Sequence, residues 1–114
     1  MGQDKEIRWV GPATTILLAF PEEPRRQAGF QLGKIQAGLD PDNWKPFAAV
    51  GPGTREIRLA ESNGIYRVMY VAKFVGAVYV LHCFQKKTQV TSRRDCEIAE
   101  ARYRAMVNDR KAEQ

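Results

Sequence analysis

The side chains best equipped for chemistry in this chain are cations near the ends of strand-like runs. The stretch HCFQKKTQVTSRRD, His82 to Asp95, carries the one histidine, then Lys86 and Lys87 where an apolar run gives out, then Thr88, Thr91 and Ser92. Arg58 and Arg67 stand in two earlier runs of the same kind. Cations grouped with hydroxyls suit a phosphate, because guanidinium and ammonium groups make charge-assisted hydrogen bonds to its oxygens. Each residue also has a plainer explanation. A lysine pair at a strand end is commonly a solvated end. A histidine in mid-strand is commonly packed and hydrogen-bonded, although its ordinary pKa is the one nearest neutrality. Cys83 and Cys96 lack the paired short spacings of a zinc site and have a single histidine to help them, so they read as buried free thiols. No metal or other cofactor is expected.

The whole chain bounds what such a site can serve. Its 114 residues make one domain, with 44% apolar and 27% charged side chains, an ordinary globular balance. Lysine and arginine outnumber aspartate and glutamate by 18 to 13, a formal charge of +5. That favours polyanionic partners, either nucleic acid or an acidic protein. No apolar run reaches the roughly 18 residues of a membrane span. The opening MGQDKEIRW is polar and mixed in charge, unlike a signal peptide. A cytoplasmic protein with no membrane contact is the expectation.

The elements that must position the cations can be placed by pattern. IRWV (Ile7 to Val10) is a short strand ended by Gly11-Pro12, and ATTILLAF a short helix closed by Pro21. PEEPRRQAGFQLGKIQAGLD reads as a longer helix, with Pro21 at its first position and Glu22 and Glu23 complementing the positive end of its dipole. Ala28, Leu32, Ile35 and Leu39 share one helical face. Gly29 and Gly33 each weaken the helix by about 1 kcal/mol, so close packing is expected there. Gly38 and Pro41 mark its end. DPDNWKPFAAVGPGT reads as a loop, followed by the strand runs REIRLA, IYRVMYVAKF and AVYVLHCFQKK. Asn63-Gly64 is a hairpin signal, and Val75-Gly76 is a second, less typical tight turn. Ser92 with Asp95 three residues on starts a last helix. Cys96, Ala99, Tyr103 and Met106 share a face of that helix, and NDRKAEQ reads as a frayed tail.

Two-residue turns at both hairpins imply a register. Ala60 then pairs with Arg67 and Arg58 with Met69. In the second hairpin Val71 pairs with Val80, Met69 with His82 and Arg67 with Phe84. Because alternate residues point to opposite faces, one face carries Ile57, Leu59, Tyr66, Val68, Tyr70, Ala72, Phe74, Tyr79, Leu81 and Cys83. This apolar face requires a cover, supplied by the N-terminal helices. The other face carries Arg58, Arg67, Met69, Lys73, His82, Phe84 and Lys86. Read for function, it is a basic surface with stacking groups, suited to single-stranded nucleic acid. Read for packing, it is a half-exposed sheet partly covered by the last helix, with Met69 and Phe84 in the core beneath. On this register only Lys86 of the double lysine shares the face, and Lys87 points the other way or into the turn.

REIRL, YRVMYVAKF and VYVLHCFQKKTQ, with A-x-x-RY in the closing helix and FPEEPRRQAGFQLGKIQAGLDPDNWKP before them, together resemble the phage-derived HigB-like toxins of the RelE/ParE superfamily. The resemblance runs from about Ile7 to Tyr103. It implies a single α+β toxin domain over residues 1–114, with two N-terminal helices on an antiparallel sheet and a C-terminal helix near its edge. It further implies the toxin of a type II toxin–antitoxin pair, a ribosome-dependent endonuclease that cuts mRNA through the ribose 2′-hydroxyl without a metal. The implied partners are a small helix-turn-helix antitoxin, the ribosome and mRNA. ParE-like members share the fold but inhibit DNA gyrase, which leaves a non-nuclease toxin, or an inactive phage-derived regulator, as the alternatives.

RelE-type sites place cations on the second strand, at the YR of the third and at the end of the fourth. Carried onto this chain, those positions are Arg58, Arg67 and Lys86, the catalytic candidates. Arg67 is assigned the charge of the transition state, and Lys86 phosphate binding or protonation of the leaving oxygen. Lys73, His82, Phe84 and Lys87 are the candidate RNA contacts. The chain departs from the pattern at Glu56, where some relatives have a further lysine. It also lacks a counterpart of the C-terminal aromatic, Tyr103 lying too far into the helix. Nor does the sequence display the histidine–aspartate arrangement of other HigB proteins, so no general base is evident.

Overall fold

The computed structural model describes residues 4–61, 64–88 and 90–113. The elements follow in the order β1 (Glu6–Trp9), α1 (Ala13–Leu18), α2 (Glu22–Gln36), β2 (Trp44–Pro46), β3 (Thr54–Glu61), β4 (Gly64–Val71), β5 (Ala77–Lys86) and α3 (Arg93–Ala112). They build an α+β fold around one sheet of order β1-β5-β4-β3-β2. The three runs read as strands are β3 to β5, paired antiparallel. The sheet is nonetheless mixed, because β1 adds to the outer edge of β5 in parallel. The segment read as a Pro- and Gly-rich loop holds β2, whose Trp44 lies opposite Ile57. Three residues are too short for a periodicity, so pairing with β3 alone defines that strand. No helix among the described residues is long and apolar enough to cross a membrane.

Register decides which residues meet. In the first hairpin Arg58 pairs with Arg67 and Ala60 with Ile65, two residues away from the expected pairing. Glu61 lies opposite Gly64, and the Ser62-Asn63 part of the predicted turn lies outside the described residues. A shift of two changes neighbours but keeps every side chain on its face. In the second hairpin Met69 pairs with His82 and Arg67 with Phe84, as expected, but a bulge follows. Beyond it Tyr70 pairs with Val80 and Val71 with Tyr79. The extra residue turns the rest of β5 over. Tyr79 and Leu81, expected on the face covered by the N-terminal helices, pack instead with Met69, Val71, Phe84 and the side chains of α3, and Phe74 packs with them. Val78 and Val80 take the vacated places.

Both faces of the sheet are therefore buried. Ala13 and Leu17 of α1 and Ala28, Leu32 and Ile35 of α2 cover Ile57, Leu59, Val68, Tyr70, Val78 and Val80. Ala99, Tyr103 and Met106 of α3 cover Met69, Val71, Tyr79 and Leu81. The last helix thus lies across a face rather than beside an edge. It also continues to Ala112 instead of fraying at Asn108. Arg110 holds its end, with the guanidinium carbon 3.7 Å from the centre of the Phe74 ring and a hydrogen bond to the Tyr79 hydroxyl at 3.1 Å.

The helix ends follow local chemistry. Ser92 accepts a hydrogen bond from the Asp95 amide at 3.0 Å, capping α3 as its spacing predicts. Pro21 is the cap of α2 rather than its first residue. α2 stops at Gln36 because Gly38 adopts φ +86°. The Leu39 amide then bonds the Lys34 carbonyl and the Gly38 amide that of Ile35, closing the helix with its orphan carbonyls satisfied. Leu39 falls outside the helix and is exposed. Gly29 and Gly33 have nothing within 4 Å of where a Cβ would stand, so they pack against nothing.

Candidate functional site

Where β3, β4 and the end of β5 lie side by side, the sheet leaves the cover of α3. Arg58 stands directly across from Arg67, and Ile65 across from Lys86. These positions open into a hollow of about 450 Å³ lined by Arg58, Gly64, Ile65, Arg67, Lys86, Lys87 and Thr88. Arg58, Arg67 and Lys86, chosen on sequence, are thus brought together. Lys87 joins them, contrary to its expected orientation, because the chain leaves the strand at Lys86 and no longer alternates. A second hollow of about 390 Å³ shares Lys86, Lys87 and Thr88 and runs on to Ser92, Arg94 and Asp95.

Two arginines directly opposite one another repel. Glu56 offsets this from beneath. Its carboxylate is fully buried, 3.1 Å from the Arg67 Nε and 4.0 Å from the Lys45 Nζ, and the Thr91 hydroxyl donates to it at 3.4 Å. The Arg67 side chain is itself only 2% exposed. Burial, with Arg58 adding to it, holds the Arg67 guanidinium below the ordinary arginine value despite the attraction of Glu56. Arg67 therefore meets the hollow from its floor, while Arg58 is exposed and Lys86 half-buried. Glu56, noted on sequence only as a missing cation, is the counterion that makes the floor possible. Lys45 was not anticipated, since its place depends on β2.

Lys86 has an altered proton affinity. Burial lowers its pKa first, then Arg67, with Lys45 and Arg58 adding, against the opposing pull of Glu56. An ammonium among three cations gives up its proton more readily than a solvated lysine does. Proton transfer as well as phosphate binding is within its reach.

The other candidates sit elsewhere. His82 is 4% exposed and Phe84 6%, and their rings stack at 5.0 Å between centres. Both are enclosed under α3, so neither offers a face to a base. The His82 Nε2 lies 2.8 Å from Asp95 Oδ1, a histidine–aspartate pair that the sequence did not display. Burial pulls the imidazole below its ordinary 6.5, Asp95 opposing and Arg102 reinforcing. The pair ties the start of α3 to β5. Lys73 shares the face of Arg67 but lies at the far end of the sheet, where it donates to the Tyr103 hydroxyl at 3.3 Å. The Cys83 thiol, pushed up to about 12 by burial, is inert. Among the described residues no three His, Cys, Asp or Glu side chains converge as metal ligands.

Residues 15–104 of the chain match the family described as Phage derived protein Gp49-like (DUF891). A search of curated proteins finds no match to the chain.

Proposed function

The chain belongs to the phage-derived Gp49-like family, and from that premise we propose that it is the toxin of a type II toxin–antitoxin pair that cleaves mRNA without a metal. The observation carrying this reading is the convergence of Arg58, Arg67, Lys86 and Lys87 on one hollow. Of the residues chosen on strand pattern and on resemblance to HigB-like toxins of the RelE/ParE superfamily, Arg58, Arg67, Lys86 and Lys87 line it, whereas Lys73, His82 and Phe84 do not.

Each cation has a task in the chemistry. The ribose 2′-hydroxyl gives up its proton to solvent water as its oxygen attacks the adjacent phosphorus, and the bond from phosphorus to the 5′-oxygen breaks to leave a 2′,3′-cyclic phosphate. Extra negative charge develops on the phosphoryl oxygens in between. Arg67, fixed from below by Glu56, and Arg58, opposite it, bind those oxygens and favour the charged state most. Lys86 supplies a proton to the departing 5′-oxygen, aided by its lowered affinity for that proton. Lys87 and Thr88 hold the flanking backbone phosphate. A cognate antitoxin neutralises the toxin, and the ribosome presents the mRNA.

The test is induced expression with the 5′ ends of transcripts mapped by primer extension. Wild type arrests growth and yields new ends within translated frames. Lys86→Ala and Arg58→Ala lower cleavage by at least about 100-fold, the scale of a lost acid or charge-stabilising group. Growth arrest with intact transcripts overturns the nuclease reading, and arrest with trapped gyrase replaces it by a ParE-like one. Absence of any toxicity overturns the toxin reading itself.

A further inference from the structure

We propose that the end of the molecule remote from the cation-lined hollow is a docking surface for an acidic segment of a partner protein, with an aliphatic anchor set between carboxylates. Between the β4–β5 connection and the second half of α3 lies a hollow of about 280 Å³. Its lining is Lys73, Phe74, Tyr103, Val107, Arg110 and Lys111. Three of these are cations and none is acidic. α3 runs roughly 25 Å from Ser92 to Arg110, so this surface is distinct from the one around Lys86 and does not depend on the nuclease reading.

The cations here are held in place but not neutralised. Among the described residues, Lys73, Arg110 and Lys111 make no ion pair with a carboxylate. Asp109, beside Arg110 in sequence, is exposed and makes no ion pair among the described residues, and Glu113 is engaged by Arg8 at 3.1 Å. Arg110 lies over the Phe74 ring at 3.7 Å and donates to the Tyr79 hydroxyl at 3.1 Å. Lys73 donates to the Tyr103 hydroxyl at 3.3 Å, and that hydroxyl donates to the Pro52 carbonyl at 2.6 Å. Neutral acceptors and ring faces orient a cation without cancelling its charge. The result is a preorganised positive rim with no ion-paired carboxylate among the described residues.

The floor between the cations is apolar. Phe74 and Val107 are half-buried, and Val75, beside Phe74 on the connection, is 99% exposed. A cavity of this volume accepts one branched aliphatic side chain. One face of each ring is taken, that of Phe74 by Arg110 and that of Tyr103 by the backbone of Gly51, where an added Cβ would come 2.5 Å from the ring. Nucleic-acid binding without sequence preference relies on free ring faces for stacking, and here each ring already has one face occupied. An apolar floor within a cationic rim instead matches a peptide of alternate acidic and aliphatic character.

The test is a titration of the full chain, labelled with nitrogen-15, with the peptide acetyl-Glu-Glu-Leu-Glu-Glu-amide, followed by amide chemical shifts. Shifts are expected in the Lys73–Gly76 connection and along Tyr103–Lys111. The leucine-to-serine peptide should bind several-fold more weakly, since the anchor loses its apolar burial. Lys111→Glu, an exposed change that leaves the fold intact, weakens binding by about fivefold or more, and Arg110→Glu weakens it further. Lys86→Ala leaves it unchanged. Equal binding of the two peptides, or shifts confined to Arg58 and Lys86, overturns the proposal by reducing it to diffuse charge attraction. No binding overturns it as well. So do shifts of the same residues with a single-stranded uridylate oligomer, which assign the surface to nucleic acid. Concentration-dependent shifts there without any peptide assign it to a second copy of the chain.

Discussion

Replacing Arg67 by methionine removes the guanidinium while keeping an unbranched stem of similar girth. The Glu56 carboxylate, fully buried, then keeps only the distant Lys45 ammonium at 4.0 Å and the Thr91 hydroxyl at 3.4 Å. Stranding one member of a buried ion pair costs about 3–5 kcal/mol, a large share of the roughly 5–15 kcal/mol that holds a domain together. At about 3–6 °C per kcal/mol for a chain of this length, Tm falls by roughly 10–30 °C. Glu56→Gln has a cost of the same kind, because Arg67 is then left facing Arg58 without a counterion. The double variant Glu56→Gln/Arg67→Met removes both charges and returns to within about 2 kcal/mol of wild type. Urea unfolding followed by circular dichroism, at unchanged m, measures all four corners of the cycle. A single variant within about 1 kcal/mol of wild type, or a double variant whose loss is the sum of the singles, refutes the buried-pair argument. The same arithmetic makes Arg67→Ala an ambiguous probe of activity, which is why Arg58 and Lys86 carry the functional test.

Three further outcomes are expected. Because burial holds His82 below its ordinary 6.5, the unfolded chain takes up that proton first on acidification. Its contribution is complete above 6.5 and is lost as pH falls towards the folded value. Unfolding midpoints between about pH 7.5 and pH 5.5 therefore decline, and His82→Gln flattens that decline. Gly29→Ala fills empty space on an exposed helical position and raises stability by about 0.5–1 kcal/mol, read as a higher Tm; a loss would mean that this face is packed. Ser92→Ala removes the cap of α3 and lowers stability by about 1 kcal/mol in the same measurement.

Much of the site was legible because strands obey a strict alternation. Arg58, Arg67 and Lys86 share a face under any register with the same parity, so even a pairing wrong by two residues collected them. Parity failed where the bulge after Met69 turned Tyr79 and Leu81 over. A bulge is one inserted residue, and nothing in the apolar run AVYVLHC marks where it falls. The histidine–aspartate pair was invisible for another reason. Asp95 reaches His82 only because α3 crosses the sheet face, and helix placement is decided by packing rather than by residues near either partner.

The sequence by itself determined the helices, the three long strands, the cap of α3, the end of α2 and the sign of the site: local periodicity, Ser92, Gly38 and the excess of arginine and lysine act over a few residues and need no partner. Tertiary structure alone decided which charges form the buried floor of the site and which face outwards. Glu56 and Arg67 are both charged residues on strand runs, yet pairing with β4 and cover by the Thr91 loop bury them together. Arg58 and Lys86 are left facing outwards. Burial and counterion distance are properties of three-dimensional neighbours, and no spacing along the chain encodes them.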